Sequence, residues 1–181
     1  MKFKITEEEL QLIVKRLANE IYDYFKAKSI DYIYFIIILT SSLVFASDLM
    51  RELSKLGMRL RTDTIRAKSY KGKESGILDV KKDDFLQKSL TNKNLLVVDD
   101  IYDTGETLHG IKELILDLYK PKMLEFCCLL NKNTPNKSKD VNVKFIGVEV
   151  PDEFIVGYGL DYDGKYREKP YIITIDQVDK K

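Results

Sequence analysis

Eight consecutive residues, Tyr32-Ile-Tyr-Phe-Ile-Ile-Ile-Leu39, contain no charge, no glycine and no proline. β-Branched and aromatic side chains favour extended backbone. A strand with one wet face alternates apolar with polar residues. An unbroken apolar run needs dry cover on both faces, the condition of a strand inside a parallel sheet with helices above and below. The flanks supply such helices. Upstream, Thr6-Glu-Glu-Glu9 has the form of a capping box, and Leu10, Ile13, Val14, Leu17 and Ile21 then recur at helical spacing. Downstream, Leu43, Ala46, Leu49, Met50 and Leu53 give a second helix over 42–56, stopped by Gly57.

The alternation continues along the chain. Residues 60–68, 95–99, 123–130, 143–148 and 172–175 read as strands, and 107–119 as an amphipathic helix closed by Lys120-Pro121. Polar loops are expected at 69–76, 100–106 and 131–140, and 77–94 shows no clear period. The pattern predicts an α/β fold, a mostly parallel twisted sheet flanked by helices. At 181 residues, one domain over 1–181 is expected, with a core that needs no disulfide or structural metal.

Composition excludes several classes. Hydrophobic residues at 44% and charged residues at 33% rule out disordered, collagen-like and mucin-like chains. Thirty basic residues against 29 acidic ones leave a net charge of +1, so no nucleic-acid partner is expected. Cys127 and Cys128 are adjacent inside an apolar run, which suits buried free thiols in a reducing compartment. MKFKITEEEL lacks an apolar stretch of signal-peptide length, and 33–39 is too short to span a bilayer. The expectation is a cytoplasmic protein with no membrane partner.

The chemistry lies in 95–107, Leu-Leu-Val-Val-Asp-Asp-Ile-Tyr-Asp-Thr-Gly-Glu-Thr. A buried strand delivers Asp99 and Asp100 to its C-terminal end, where open α/β sheets bind ligands. Asp103 follows, and Thr104, Gly105, Glu106 and Thr107 lead into a helix whose unpaired N–H groups suit a phosphate. The segment thus offers a phosphate cradle beside carboxylates able to hold a sugar diol or Mg²⁺. Asp103-Thr104-Gly105 is also the aspartic-protease tripeptide, but that chemistry needs two such loops in β-rich surroundings. Receiver-type phosphoacceptor domains carry an acidic pair near the N-terminus rather than past residue 95. A plain capped turn does not account for three acids and a glycine packed so closely.

The segment resembles the ribosyl-diphosphate-binding motif of type I phosphoribosyltransferases, and matches elsewhere narrow the resemblance to the hypoxanthine-guanine branch. The resemblance spans about residues 5–175 and implies that family's fold, with a small hood formed by the chain ends. It places Asp99 and Asp100 on the ribose hydroxyls and Mg²⁺, and Thr104, Gly105, Glu106 and Thr107 around the 5′-phosphate. Asp103 falls beside the purine N7 as general acid or base. In Leu-Leu-Asn-Lys-Asn-Thr-Pro (129–135), Lys132 stands where the family lysine donates to the purine exocyclic oxygen. In Pro-Asp-Glu-Phe-Ile-Val-Gly-Tyr-Gly-Leu-Asp-Tyr (151–162), Phe154 would stack on the base, the Ile155 backbone would read its edge, and Asp161 would hold a second Mg²⁺. Arg167 matches an arginine that contacts pyrophosphate, and Ser69-Tyr70 matches the flexible lid. His109 is expected to be a surface or packing histidine.

One departure stands out. Where the family has Leu-Lys-Gly, with an unusual peptide bond before the glycine gripping pyrophosphate, this chain has Leu39-Thr40-Ser41-Ser42. Thr40 and Ser41 would then border the pyrophosphate without the lysine charge. The implied activity joins a 6-oxopurine, hypoxanthine or guanine, to phosphoribosyl diphosphate. The alternative is a nucleotide-sensing regulatory relative, and homodimers or homotetramers are the implied assemblies.

Overall fold

The computed structural model describes residues 3–66, 68–69, 78–79, 89–135, 137 and 141–178. Five strands form a parallel sheet: β2 (Tyr32–Leu39), β3 (Arg59–Arg66), β6 (Asn94–Tyr102), β7 (Met123–Lys132) and β8 (Phe145–Val150). Their order is β3-β2-β6-β7-β8. The apolar run of β2 divides between two cores as expected. Ile33, Phe35 and Ile37 pack against helices α1 (Glu7–Lys26) and α2 (Leu43–Lys55), while Tyr34, Ile36 and Ile38 join the layer of α3 (Glu106–Leu118). Both faces are dry, so no position in the middle of β2 tolerates charge.

The capping box of α1 is formed: Glu9 N donates to Thr6 Oγ1 at 3.2 Å and Thr6 N to Glu9 Oε2 at 2.8 Å. The end of α2 is marked by Gly57 at φ +90°, a left-handed conformation that a side chain resists. The chain ends come together in a second sheet, β1 (Lys4–Ile5), β10 (Ile172–Thr174) and β9 (Ile155–Val156), all antiparallel. This small sheet is the expected hood.

Two expectations need correction. The third sheet strand does not end at Asp99. β6 runs on through Asp100 and Ile101 to Tyr102, because its ladder with β7 continues to the pair Tyr102↔Asn131. A backbone ladder is indifferent to side-chain charge, so acidic residues there did not break it. The last strand stops at Thr174 and gives way to a short 3₁₀ turn, Ile175–Gln177. Ser69 lies in β4 (Lys68–Ser69), paired with β5 (Leu78–Asp79). Tyr70 and most of the expected 69–76 loop lie outside the described residues, as does most of 77–94. Among the described residues, no helix is long and apolar enough to cross a membrane.

Candidate active site

Parallel strands end on the same side of their sheet, so the residues after β2, β6, β7 and β8 converge at one edge. A cleft of about 190 Å³ opens there. Ser41, Asp99, Asp100 and Asp103 line it, together with Thr104, Gly105 and Thr107. The Glu106 side chain is exposed and outside that lining, as is Thr40. His109 does not line the cleft either, consistent with a packing role.

Gly105 caps α3 at φ +86°, a conformation that turns the chain sharply from the cleft into the helix. The first bond of α3 runs from His109 N to Gly105 O at 2.8 Å, and Glu106 N is met by Thr104 Oγ1 at 3.4 Å. The Thr107 and Leu108 N–H groups therefore precede the helical ladder, at its positive end. With the Thr104 and Thr107 hydroxyls they are donors of the kind that suits a dianionic phosphate.

Asp99 and Asp100 are both buried near the end of the β6 ladder, ahead of Ile101 and Tyr102, and Asp100 N donates to Asp99 Oδ1 at 3.0 Å. Burial holds the Asp99 carboxyl well above the usual carboxylate range, and the neighbouring Asp100 charge adds to that. Burial also raises Asp100, while the Asp99 and Ser41 side chains pull it part of the way back. Asp100 Oδ2 is buried without a hydrogen-bond partner among the described residues. Buried acceptors of this kind are satisfied by a ligand hydroxyl or a hard cation. The chemistry of the pair suits a cation or a diol, and burial of two neighbouring carboxyls opposes their ionisation.

A carboxyl whose folded pKa is raised binds a proton more tightly in the folded chain, so stability falls as pH climbs through that pKa. Asp99→Asn removes the charge and keeps the shape. In chelator-treated buffer its Tm should exceed that of the parent by roughly 2–8 °C at mildly alkaline pH. The gap should close at acidic pH. Thermal melts across pH check this, and an unchanged alkaline Tm would contradict it.

β7 ends at Lys132, beside Val150 of β8. The Lys132 Nζ lies 3.2 Å from Asp103 Oδ2 and 3.4 Å from Asp152 Oδ1. The lysine is well covered, its side chain 13% exposed, against 45% for Asp103. Its partner Asp152 was not singled out in the sequence, although it stands inside the 151–162 motif. Only the register of β7 on β8 shows that Asp152 meets Lys132.

Phe154 is exposed and packs edge-on against Tyr162, ring centroids 5.5 Å apart. Ile155 is buried in β9 opposite Thr174. Ile175 N donates to Phe154 O at 2.8 Å, so Ile155 and Thr174 are a pair that exchanges no hydrogen bonds. The Ile155 N–H and C=O consequently point away from β10. Asp161 is held by Arg167, Nη2 to Oδ1 at 2.8 Å, and accepts from Gly164 N at 2.8 Å. The residues expected to meet the second metal and the pyrophosphate are thus paired with one another. Arg167 Nη1 also donates to Gly159 O at 2.6 Å. This group meets the cleft wall at Gly159, which lies so close to the Ser41 carbonyl oxygen that a Cβ there would overlap it. The Leu39–Thr40 peptide is cis, one bond earlier than the resemblance placed the unusual peptide.

Comparison with known proteins decides the family. Residues 4–163 match the model of the phosphoribosyl transferase domain. The chain belongs to that family. Within it, this phosphoribosyltransferase is 36% identical over 176 residues to the hypoxanthine phosphoribosyltransferase of Escherichia coli (strain K12), covering 97% of this chain and 96% of that one. It is 38% identical over 174 residues to the hypoxanthine-guanine phosphoribosyltransferase of Staphylococcus aureus (strain Mu50), covering 94% and 91%. A crystal structure of a hypoxanthine-guanine phosphoribosyltransferase from Bacillus anthracis superposes with TM-score 0.82 at 39% identity, covering 96% and 97%. The hypoxanthine-guanine branch expected from the motifs is therefore the branch to which this phosphoribosyltransferase belongs.

Proposed function

We propose that the chain is a single-domain purine salvage enzyme. It transfers the phosphoribosyl group of phosphoribosyl diphosphate to hypoxanthine or guanine, giving IMP or GMP and pyrophosphate. The observation that carries this reading is the Lys132–Asp103 pair at 3.2 Å. O6 and N7 lie side by side on one edge of a 6-oxopurine. A donor and an acceptor held side by side, the acceptor on the cleft wall, complement that edge, the ammonium for O6 and the carboxylate for N7–H.

In this reading the 5′-phosphate rests on the Thr104, Gly105 and Thr107 turn and the first N–H groups of α3. Asp99 and Asp100 face the ribose. As the C1′–O bond to diphosphate breaks, positive charge develops on the sugar, and buried carboxylates aimed at it favour that state. N9 of the base attacks C1′, and Asp103 accepts the proton leaving N7. Phe154 supplies a stacking face and the outward Ile155 backbone meets the far edge of the base. Asp99 and Asp100 suit one Mg²⁺ through their oxygen donors, and Asp161 suits a second only by sharing its carboxylate with Arg167. Bound there, Mg²⁺ would neutralise the leaving diphosphate. Pyrophosphate release from phosphoribosyl diphosphate with guanine, hypoxanthine or adenine tests the assignment: the first two should react and adenine should not.

The free, buried Cys127 and Cys128 support a cytoplasmic setting. Exposed Leu43, Leu116 and Leu118 leave apolar surface for a homodimer or homotetramer, which light scattering would read. Ser41 borders the diphosphate, and Thr40 beside it supplies no cationic side chain. Thr40→Lys with Ser41→Gly should lower KM for phosphoribosyl diphosphate by roughly tenfold, the scale of one charge-assisted hydrogen bond. KM for the purine should stay nearly constant. An unchanged KM for phosphoribosyl diphosphate at saturating Mg²⁺ would show that this loop is spare.

A further inference from the structure

We propose that Tyr158 is a positioning residue for the diphosphate side of the site, acting through Asp48 and Gly159 on the Ser41 loop; this rests on the transfer reaction proposed above. Tyr158 sits at φ +51° between Gly157 at φ +104° and Gly159 at φ +101°. A bulky residue in the left-handed region is costly and persists where its surroundings hold it there. Here the hold is specific. Tyr158 N donates to Lys169 O at 2.8 Å. Its ring is buried in the α1–α2 core, and its hydroxyl donates to Asp48 Oδ2 on α2 across 110 residues of chain. Burial and the Asp48 carboxylate together push the phenol far above its ordinary range, so it remains a donor.

The next residue carries the consequence. Gly159 N donates to Arg167 O at 3.0 Å, and Gly159 O receives the Arg167 guanidinium that also holds Asp161. The Gly159 backbone is seated against the Ser41 carbonyl, with Val44 Cβ beside it. Val44 and Asp48 lie one turn apart on α2, the helix that begins directly after the Thr40–Ser42 turn. The contacts therefore close a ring: Ser41, α2, Asp48, Tyr158, Gly159, and back to Ser41. Without the Tyr158–Asp48 bond the ring opens, and Gly159 is tied to α2 no longer, held against the Ser41 carbonyl only from the Arg167 side. Phe154 and Ile155 are anchored separately, through pairing of β9 with β10. The purine side should not register the loss.

The test uses four variants of the full chain. Tyr158→Phe deletes one hydroxyl, Asp48→Ala removes its acceptor, and Asp48→Asn keeps an acceptor in place. Arg51→Ala removes only the exposed cation that pairs with Asp48. Tyr158→Phe and Asp48→Ala should each raise KM for phosphoribosyl diphosphate roughly tenfold, the scale expected of a displaced positioning contact, with KM for hypoxanthine within about twofold of the parent. Asp48→Asn and Arg51→Ala should stay near the parent. In the ligand-free protein, hydrogen exchange at 157–160 and at 41–44 should quicken together in Tyr158→Phe. A parallel rise in both KM values, or faster exchange in only one segment, would overturn the proposal. A parent enzyme with no turnover would instead retire the transferase reading, and the exchange result would then decide the positioning role by itself.

Discussion

Asp103→Asn is expected to lower kcat by roughly 10²–10⁴-fold, the usual contribution of a positioned acid–base group. The change keeps size and an oxygen at the same place. It removes the site proposed to take the N7 proton and leaves Lys132 with Asp152 as its remaining acidic partner. Binding should suffer less than turnover, because the Thr104 and Thr107 cradle and the Asp99–Asp100 pair are untouched. Steady-state kinetics with guanine and with hypoxanthine read the effect. A variant with near-parent kcat on both bases would remove Asp103 from the acid–base role.

Lys132→Ala should act on the other half of that pair. A charge-assisted hydrogen bond to the exocyclic oxygen is worth roughly 1.5–3 kcal/mol, or about 10–150-fold in KM for the purine. The truncation also leaves the Asp103 and Asp152 carboxylates without the ammonium between them, which pushes the effect toward the upper end. KM for phosphoribosyl diphosphate should change little. Adenine, which has an amino group in place of the oxygen, should be a poor substrate for the parent. Equal losses for both substrates, or efficient use of adenine, would contradict the role.

The sheet was legible in the sequence because burial on both faces leaves an unbroken signature, as in Tyr32–Leu39, whose bounds match. The first helix was legible for a local reason too, the Thr6–Glu9 box. Asp99 and Asp100 were found through their place after an apolar run, although the strand carries past them. What was not legible is pairing between distant segments. Lys132 and Asp103 stand 29 residues apart, and Tyr158 and Asp48 stand 110 apart. Nothing in either local pattern announces the other. In particular, Tyr158 reads as a packing aromatic until its hydroxyl is followed across to α2. The resemblance gives Asp161 and Arg167 separate ligands, yet the turn that joins them brings them into one ion pair.

Ile155 offers its N–H and C=O outward from the edge of β9, and that has a consequence for redesign. A recognition element made of main chain has no alternative alleles. In the proposed reading, exchanging the isoleucine for another apolar residue repacks the core beneath β9 and leaves the hydrogen-bonding groups in place; only proline, which lacks the N–H, removes one. Attempts to retarget the enzyme to other bases therefore have little to gain from libraries at this position. If the base binds as proposed, the variable letters of the recognition code sit in the side chains of Lys132 and Phe154 and in the register that holds β9 on β10.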